Sequence, residues 1–172
     1  MNEDLGSPHA LPAFAGCRVG QIGILVRDLE AAVRRSSALL RNGPWRIYTY
    51  SSASLTEQVY RGRPSGFAVR IALNSQDPQV EFLQPLQGPS IYHEWLDTHG
   101  EGLHHLAFWV ESLDESMASM VECGYDVTQY GKGMGTAGDG GFAYYDTVSV
   151  LGVVLETVER PTDRREAELV IP

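Results

Sequence analysis

Apolar residues along this chain recur first at the spacing of a β-strand and then at the spacing of a helix. Residues 19–26 alternate in the manner of a short strand, and Asp28 follows them as a candidate N-cap residue. Apolar positions at helical spacing continue to about Arg41, and the segment 42–44, Asn-Gly-Pro, ends the helix. This stretch therefore predicts one strand followed by one amphipathic helix.

The same succession returns later in the chain. Residues 103–110 form a second strand-like run, and Ser112 lies 84 positions after Asp28. Ser112 and Glu115 make a capping box, and Cys123 and Gly124 stop the second helix. About twenty residues align without a gap at this offset, which predicts an internal repeat.

Three further strand-like runs follow each helix. They are residues 46–51, 56–61 and 68–83 in the first half, and 126–131, 141–147 and 150–158 in the second half. The run 68–83 contains turn-forming residues at 74–78 that can interrupt it. The pattern predicts an α+β fold in which two βαβββ modules form an eight-stranded curved sheet, or cup, with the helices outside.

This organisation divides the chain into five parts. They are a loose N-terminal arm (1–15), a first βαβββ module (16–87), a linker with a short helix at 91–98 (88–100), a second module (101–160) and an exposed or partly disordered tail (161–172).

Composition excludes several functional classes. The formal net charge is -9, Lys and Arg total 13, and no basic cluster is present, which argues against nucleic-acid binding. Cys17 and Cys123 do not make a disulfide framework. The first 15 residues lack the features of a signal peptide, and no apolar run has the length of a membrane span. We therefore expect a cytoplasmic protein without membrane contact.

Four polar residues occupy repeat-related strand positions. Gln21 and His105 are equivalent under the repeat and face away from the helices, while Glu81 and Glu156 each interrupt an apolar strand. A buried carboxylate is costly unless its charge is compensated. Any one of these residues could be a hydrogen-bonded core residue, and Glu81 could lie on a solvated edge. Their recurrence in two related pairs favours a metal site.

A divalent cation would compensate two such carboxylates. Gln21, Glu81, His105 and Glu156 supply one nitrogen and three oxygen ligands and leave two octahedral positions open for water or substrate. The residue types do not select among Co, Mn, Mg, Ni, Zn and Fe. The pattern is typical of a catalytic rather than a structural site.

The segments GQIGILVRDLEAAV, VEFLQPL, GEGLHHLAFWV and GVVLETVE resemble the vicinal oxygen chelate superfamily (glyoxalase, bleomycin resistance protein, extradiol dioxygenase), and most closely its methylmalonyl-CoA epimerase-like branch. The resemblance covers about residues 18–160. It implies paired βαβββ modules around a metal-containing cup, with ligands at Gln21, Glu81, His105 and Glu156. His104 is expected on the helix side. The implied reaction is metal-assisted proton abstraction next to a carbonyl, through an enediolate.

Two departures from the family pattern bear on the reaction. The first strand usually carries His where this chain has Gln21, which weakens a ring-cleaving dioxygenase, since that iron chemistry uses two His and one carboxylate. The epimerase branch also has an extra catalytic Glu in the first half, for which Glu57 is the candidate. Glu156 and Glu81 are the other candidate bases.

Aromatic residues near the predicted cup suggest the substrate. Trp109 shares a strand face with His105, and Trp45, Tyr60 and Tyr144 lie on or near strand ends. They are either packing residues or contacts for a hydrophobic or aromatic substrate. No Arg or Lys cluster in the sequence indicates a phosphate-rich thioester. The Gly-rich segment 131–141 lacks a phosphate-loop pattern and predicts a loop over the cup.

Two classes of function follow. The first is a metal-dependent isomerase, epimerase or lyase that acts on a small-molecule substrate. The alternative is a metal-free drug- or metabolite-binding protein of the bleomycin-resistance type, and a dioxygenase is a third and weaker possibility. With both modules in one chain, the cup can close within a single copy, and we expect a homodimer formed through the surface.

Overall fold

The computed structural model describes Phe14 and residues 16–172. The arm predicted at residues 1–15 lies, apart from Phe14, outside the described residues. None of the helices in the described part is long and apolar enough to cross a membrane.

The described chain contains four helices and eleven strands. In chain order they are β1 (Gln21–Leu25), α1 (Leu29–Leu40), β2 (Trp45–Tyr50), β3 (Glu57–Tyr60), β4 (Arg63–Pro64), β5 (Ala68–Leu73), β6 (Gln79–Gln87), α2 (Ile91–Thr98), β7 (Gly102–Val110), α3 (Leu113–Glu122), β8 (Val127–Lys132), β9 (Gly141–Tyr145), α4 (Val148–Leu151), β10 (Val154–Glu159) and β11 (Leu169–Ile171).

The predicted helix caps are present. Asp28 Oδ1 accepts a hydrogen bond from the Ala31 amide at 2.9 Å, and Ser112 Oγ accepts one from Glu115 at 3.3 Å. Helix α1 ends at Arg41, which has a left-handed backbone with φ of 52°. Local sequence signals thus set the limits of both long helices.

All strands belong to one sheet with the order β11-β2-β5-β6-β1-β7-β10-β9-β8-β3-β4. Strands β1 and β7 are antiparallel neighbours, with Ile22 opposite Leu106, Gln21 opposite Ala107 and Gly23 opposite His105. Because Leu106 is the repeat equivalent of Ile22, a pseudo-twofold axis passes through this pair. The repeat and the α+β fold of two βαβββ modules are confirmed.

The sheet must curl strongly. Strand β2 is second and β3 is tenth in the order, yet only residues 51–56 connect them. Eight strand spacings would measure roughly 38 Å in a flat sheet, whereas a connection of this length spans at most roughly 25 Å. The two ends of the sheet therefore approach each other and close the cup within one chain.

The strand assignment of the first half needs correction. The predicted run 68–83 is a hairpin of two strands, β5 and β6, interrupted at residues 74–78 as the turn residues suggested. The run 56–61 is not a module strand: β3 pairs with β8 at the far edge of the second module. The eight module strands are thus extended by β3, β4 and β11. In the second half, residues 148–151 form α4 before β10 begins.

Three apolar clusters follow from strand alternation. Residues such as Leu25, Leu83 and Val158 form an inner core that both modules share. One outer cluster packs under α1, around Leu29, and another under α3, around Leu113. Each strand therefore sends alternate side chains to the helix layer and to the inside of the cup.

The C-terminal tail, predicted to be exposed or partly disordered, consists of exposed and half-buried residues that are attached to the sheet. Strand β11 pairs with β2, and Glu168 accepts hydrogen bonds from the backbone and the hydroxyl of Thr49 at 2.8 and 3.0 Å. Arg165 also donates to the Ser54 carbonyl at 3.1 Å. The tail is therefore attached to β2 and to the segment that follows β2.

Candidate metal centre

Three buried ligand-type residues meet inside the cup. Glu81 on β6, His105 on β7 and Glu156 on β10 each place a ligand atom within 4.8 Å of the others. His105 Nε2 lies 3.3 Å from Glu81 Oε2 and 3.0 Å from Glu156 Oε2. The three side chains are at most 7% exposed, so water contributes little to the compensation of their charges.

Strand register explains why the two carboxylates meet. Glu81 pairs with Gly23 on β1, and Glu156 pairs with Ala107, the repeat equivalent of Gly23, on β7. The pseudo-twofold axis thus brings both carboxylates to the centre of the sheet. The sequence repeat that predicted the pairs Gln21 with His105 and Glu81 with Glu156 is the origin of this axis.

Gln21, the fourth predicted ligand, is buried and lines the same cavity as Glu81 and Glu156. Its Nε2 donates a hydrogen bond to Gln79 Oε1 at 2.9 Å. Because this bond engages the amide nitrogen, the carbonyl oxygen Oε1 is the atom that could serve as a ligand.

His105 depends on a glycine in the opposite strand. A Cβ placed on Gly23 would lie only 1.9 Å from Cε1 of the His105 ring. The imidazole therefore occupies the space above the Gly23 backbone, and any larger residue there would displace it.

A β-bulge changes the direction of His104. The pairing of β1 with β7 shifts between Gly23 and Ile24, which leaves His104 as the extra residue of β7. Strand alternation predicts that His104 and His105 face opposite sides, but both rings contact Tyr144, and their Nδ1 atoms are 3.0 Å apart. The bulge re-aims the side chain, and His104 packs against Trp95 of helix α2.

The electrostatics of the cluster are those of charges lacking a counterion. Burial raises the pKa of Glu81, against the lowering effect of His105. Burial alone would lower the pKa of His105, but the charge of Glu156 and the short contacts with Glu156 and Glu81 raise it to about 9. Besides the imidazole of His105, the positive charge of Arg164 in the cavity wall also acts to lower the pKa of Glu81.

The donor atoms are suited to a divalent cation. Within the part of the chain that the structure describes, His105 Nε2 and Glu156 Oε2 are buried and have no aligned hydrogen-bond partner, although they lie 3.0 Å from each other. Such orphaned atoms are rare in folded proteins unless an ion or water satisfies them. Two carboxylates and one imidazole match the ligand preferences of several divalent metals.

The cavity around the cluster is small. Its free volume is about 40 Å³, and its walls include the two predicted substrate contacts Trp109 and Tyr144. An apolar cavity of about 150 Å³ is what accommodates benzene. The inner cavity therefore has room for an ion and a small polar group, but not for an aromatic ring.

The cavity also contains residues that sequence analysis missed. Tyr50, Tyr92, Phe142 and Arg164 line it. The hydroxyl of Tyr50 is buried without a hydrogen-bond partner, and burial raises its pKa while Arg164 opposes that effect. Tyr50 lies on the inward face of β2, so the strand alternation could have identified it.

Glu57 does not reach the cavity. It lies on β3 at the far end of the sheet, where it accepts a hydrogen bond from Tyr130 at 2.5 Å and lies 3.9 Å from Lys132 Nζ. Its assignment as a third catalytic carboxylate is corrected, because β3 joins the second module's edge instead of the central sheet.

Trp45 and Tyr60 are also outside the cavity. Trp45 is fully buried on the helix side of β2 and stacks on Phe82 with 5.0 Å between ring centroids. Tyr60 lies on β3 and donates a hydrogen bond to Glu94 of α2. Neither residue lines the cavity around the cluster, so the structure does not bring these two predicted contacts to the metal ligands.

Comparison with known proteins agrees with this architecture. A family model of the glyoxalase/bleomycin resistance protein/dioxygenase superfamily matches residues 20–145, more than two-thirds of the chain. The chain belongs to this superfamily. The predicted resemblance is therefore confirmed. A search of curated proteins finds none that matches the chain.

Solved structures of members of the superfamily share the fold. Streptomyces coelicolor methylmalonyl-CoA epimerase, in complex with 2-nitronate-propionyl-CoA, superposes with a TM-score of 0.62 at 23% identity over 84% of this chain and 98% of its own. The Mycobacterium tuberculosis epimerase gives 0.57 at 22% identity, over 82% and 86%. A hypothetical protein from Bacillus halodurans gives 0.62 at 21% identity, over 87% and 99%. At these identities the likeness establishes the fold.

Proposed function

We propose that this protein is a metal-dependent isomerase, epimerase or lyase that removes a proton next to a substrate carbonyl. The observation that supports the proposal best is the buried cluster of Glu81, His105 and Glu156, whose ligand atoms lie within 4.8 Å of one another. Two carboxylates and an imidazole without aligned partners are costly to bury unless they hold a cation.

Gln21, Glu81, His105 and Glu156 would hold the ion. When bound, a divalent cation supplies Lewis-acid stabilisation of the oxyanion that forms as the neighbouring proton leaves. The rest of the chemistry belongs to side chains of the chain itself.

Glu156 is the base that we favour. A carboxylate has two oxygens, so Oε2 could hold the ion while the other oxygen accepts a proton from a bound substrate. Tyr50 contributes a second polar group, because its buried and unpartnered hydroxyl can donate a hydrogen bond to a substrate oxygen. The apolar wall near Tyr144 and Phe142 limits access of bulk water.

The size of the cavity bears on the alternatives. A metal-free drug-binding cup needs space for a bulky apolar ligand, whereas about 40 Å³ is free beside the two carboxylates. A dioxygenase of the two-His type lacks its second histidine, since Gln21 stands at that position and the bulged His104 packs against Trp95. Both alternatives are therefore disfavoured. The cytoplasmic location and the homodimer remain predictions.

Metal analysis and isotope exchange test the proposal together. Purified protein is expected to contain about one divalent ion per chain. In heavy water it should introduce deuterium into a substrate with an acidic carbon next to a carbonyl. Methylmalonyl-CoA is a suitable first substrate because a structural neighbour was solved with it, and hemithioacetals form a second panel.

Glu156→Gln should lose both the ion and the exchange. Glu122→Gln is the matched control, because it makes the same substitution at an exposed position of α3. It should retain both the ion and the exchange. Normal exchange in Glu156→Gln would exclude Glu156 as the base. Protein that binds no ion when supplied with Co, Mn, Mg, Ni, Zn or Fe would contradict the metal-dependent reaction as a whole.

A further inference from the structure

A second and larger cleft opens beside the metal cavity. Its volume is about 550 Å³, and four arginines from distant parts of the chain line it: Arg18, Arg46, Arg160 and Arg164. Asp77 is the one carboxylate among its lining residues, so the formal charge of the lining is positive. Four of the 13 Lys and Arg residues of the chain thus line one cleft, although the net charge of the protein is -9.

Two of these arginines have no acidic partner. Arg18 pairs with Asp77 at 3.0 Å, and Arg46 donates to Ser75 Oγ at 3.2 Å. Within the described residues, the ion pairs include neither Arg160 nor Arg164. Neither guanidinium is therefore held by a direct ion pair, although the charge of Arg164 also acts on Glu81 in the adjoining cavity.

Aromatic rings hold both unpaired guanidinium groups. The Arg160 guanidinium lies 5.3 Å from the centroid of the Trp109 ring, and that of Arg164 lies 5.6 Å from the centroid of Tyr48. Stacking on a ring leaves the planar fork of N–H donors free at its edge. Both rings are themselves part of the cleft wall.

The segment that carries these arginines is anchored on both sides. The Thr162 amide donates to Asp139 Oδ2 at 2.7 Å, and Arg164 forms a backbone bridge with Gly135. Further along, Glu168 is bonded to Thr49. Because these hydrogen bonds fix the backbone, the positions of Arg160 and Arg164 are defined, as a binding site requires.

The cleft adjoins the metal cavity. Leu73, Trp109 and Arg164 line both, and the hydrogen bond between Gln21 and Gln79 joins the two walls. The arginine-lined cleft and the cavity around Glu81 and Glu156 are therefore neighbours that share part of their walls.

We propose that this cleft is an anion subsite that binds a carboxylate or phosphate group of the substrate through Arg160 and Arg164. Guanidinium groups recognise both anions by paired hydrogen bonds. The identification of the bound molecule as the substrate rests on the proposed function, whereas the anion site itself does not. The inference replaces the expected aromatic substrate with one that has a small reacting end and an anionic tail.

Calorimetric titration of metal-stripped protein at constant ionic strength tests the subsite directly. The probes are inorganic phosphate, pyrophosphate and malonate, with chloride as the reference anion. We expect saturable binding of at least one probe. The preferred probe distinguishes a phosphate-bearing from a carboxylate-bearing substrate.

Variants locate the binding. The double substitution Arg160→Gln and Arg164→Gln should weaken binding of the preferred probe at least tenfold. Arg160→Lys keeps the positive charge but loses the planar pair of N–H donors, so it should weaken binding less than Arg160→Gln. Arg35→Gln, on the exposed side of α1, removes one charge elsewhere and should leave binding unchanged. If the double variant does not fold, Arg160→Gln alone serves, because that side chain is exposed.

The inference is overturned if no probe binds more tightly than chloride, if the arginine variants bind like the wild type, or if Arg35→Gln weakens binding equally. Glu156→Gln separates the two proposals. This variant should retain anion binding while it loses the metal. Failure of the metal-dependent function would therefore not contradict the anion site, and absence of anion binding would not contradict the metal-dependent function.

Discussion

Gly23 and His105 face each other across β1 and β7, and the imidazole of His105 fills the space that a Cβ at position 23 would need. The distance from that Cβ to the ring would be 1.9 Å. A residue that carries no side chain thus determines where the nitrogen ligand can lie. Gly23 also pairs with Glu81 on its other side, so it lies between two of the proposed metal ligands.

Gly23→Ala should displace the His105 ring and disrupt the metal site. We expect metal affinity to fall at least tenfold and the free energy of unfolding to fall by about 1–3 kcal/mol, because the added methyl overpacks a buried site. Metal titration and urea unfolding measure the two effects. Gly66→Ala is the control, since a Cβ there would lie 3.4 Å from Ser52 Oγ and is tolerated. Unchanged metal affinity in Gly23→Ala would refute the steric role of Gly23.

Glu81→Gln should affect metal-free and metal-loaded protein in opposite directions. Without the ion, the substitution removes one of two buried carboxylates, and we expect the metal-free protein to gain about 1 kcal/mol of stability. With the wild-type protein, an ion at 100 times its dissociation constant should add about 2.7 kcal/mol, and the variant should lose most of that gain. Thermal unfolding with and without metal gives both values. A variant that is less stable than the wild type in the metal-free state would contradict the charge argument.

Tyr50→Phe should separate catalysis from stability. The Tyr50 hydroxyl has no hydrogen-bond partner among the described residues, so its loss should leave the thermal midpoint unchanged or slightly raised. If this hydroxyl binds a substrate oxygen, kcat/KM should fall about tenfold. Tyr145→Phe is the matched control: its hydroxyl lies 2.6 Å from Thr157 Oγ1, and its removal should cost about 1 kcal/mol without a comparable loss of kcat/KM. Full activity in Tyr50→Phe would remove Tyr50 from the site.

Glu94 should give a pH-dependent contribution to stability. A hydrogen bond from Arg61, at 2.6 Å, is the main cause that lowers the pKa of Glu94 below its usual 4.5. Since the folded-state pKa is below the unfolded one, the contribution is present above about pH 4.5 and is lost as the pH falls through the folded value. Its size is a few tenths of a kcal/mol, because the pair is partly exposed and screened by solvent.

Urea unfolding of metal-stripped Glu94→Gln at pH 7 and pH 3 measures this contribution. The variant should be less stable than the wild type at pH 7, and the difference should shrink at pH 3 and at high salt. Glu122→Gln, which replaces an exposed carboxylate on α3, is the control. An equal loss at both pH values would mean that Glu94 acts through packing instead of charge.

Local signals in the sequence accounted for much of the fold. The caps at Asp28 and Ser112 and the 84-residue offset between them predicted α1, α3 and the two modules. The helix at 91–98 was also predicted with its observed limits. These features depend on neighbouring residues and on strand alternation, both of which are visible in one dimension.

Predictions for residues on β3 were wrong because strand pairing is a long-range property. Residues 57–60 have an alternating pattern, but nothing local indicates that they pair with β8 in the other module. Glu57 and Tyr60 were therefore assigned to a site that their strand does not reach. The β-bulge at His104 could not be predicted for a related reason, since one extra residue in the register interrupts simple alternation.

The sequence by itself determined the repeat, the helix limits and the four polar positions that the pseudo-twofold axis relates, because caps and alternating faces are properties of neighbouring residues. Only the tertiary structure decided that Glu81, His105 and Glu156 meet within 4.8 Å and that Gly23 makes room for the imidazole. It also decided that Arg18, Arg46, Arg160 and Arg164 share one cleft. Such contacts depend on the curl of the sheet and on the path of the C-terminal segment, which bring together residues that are far apart in the sequence.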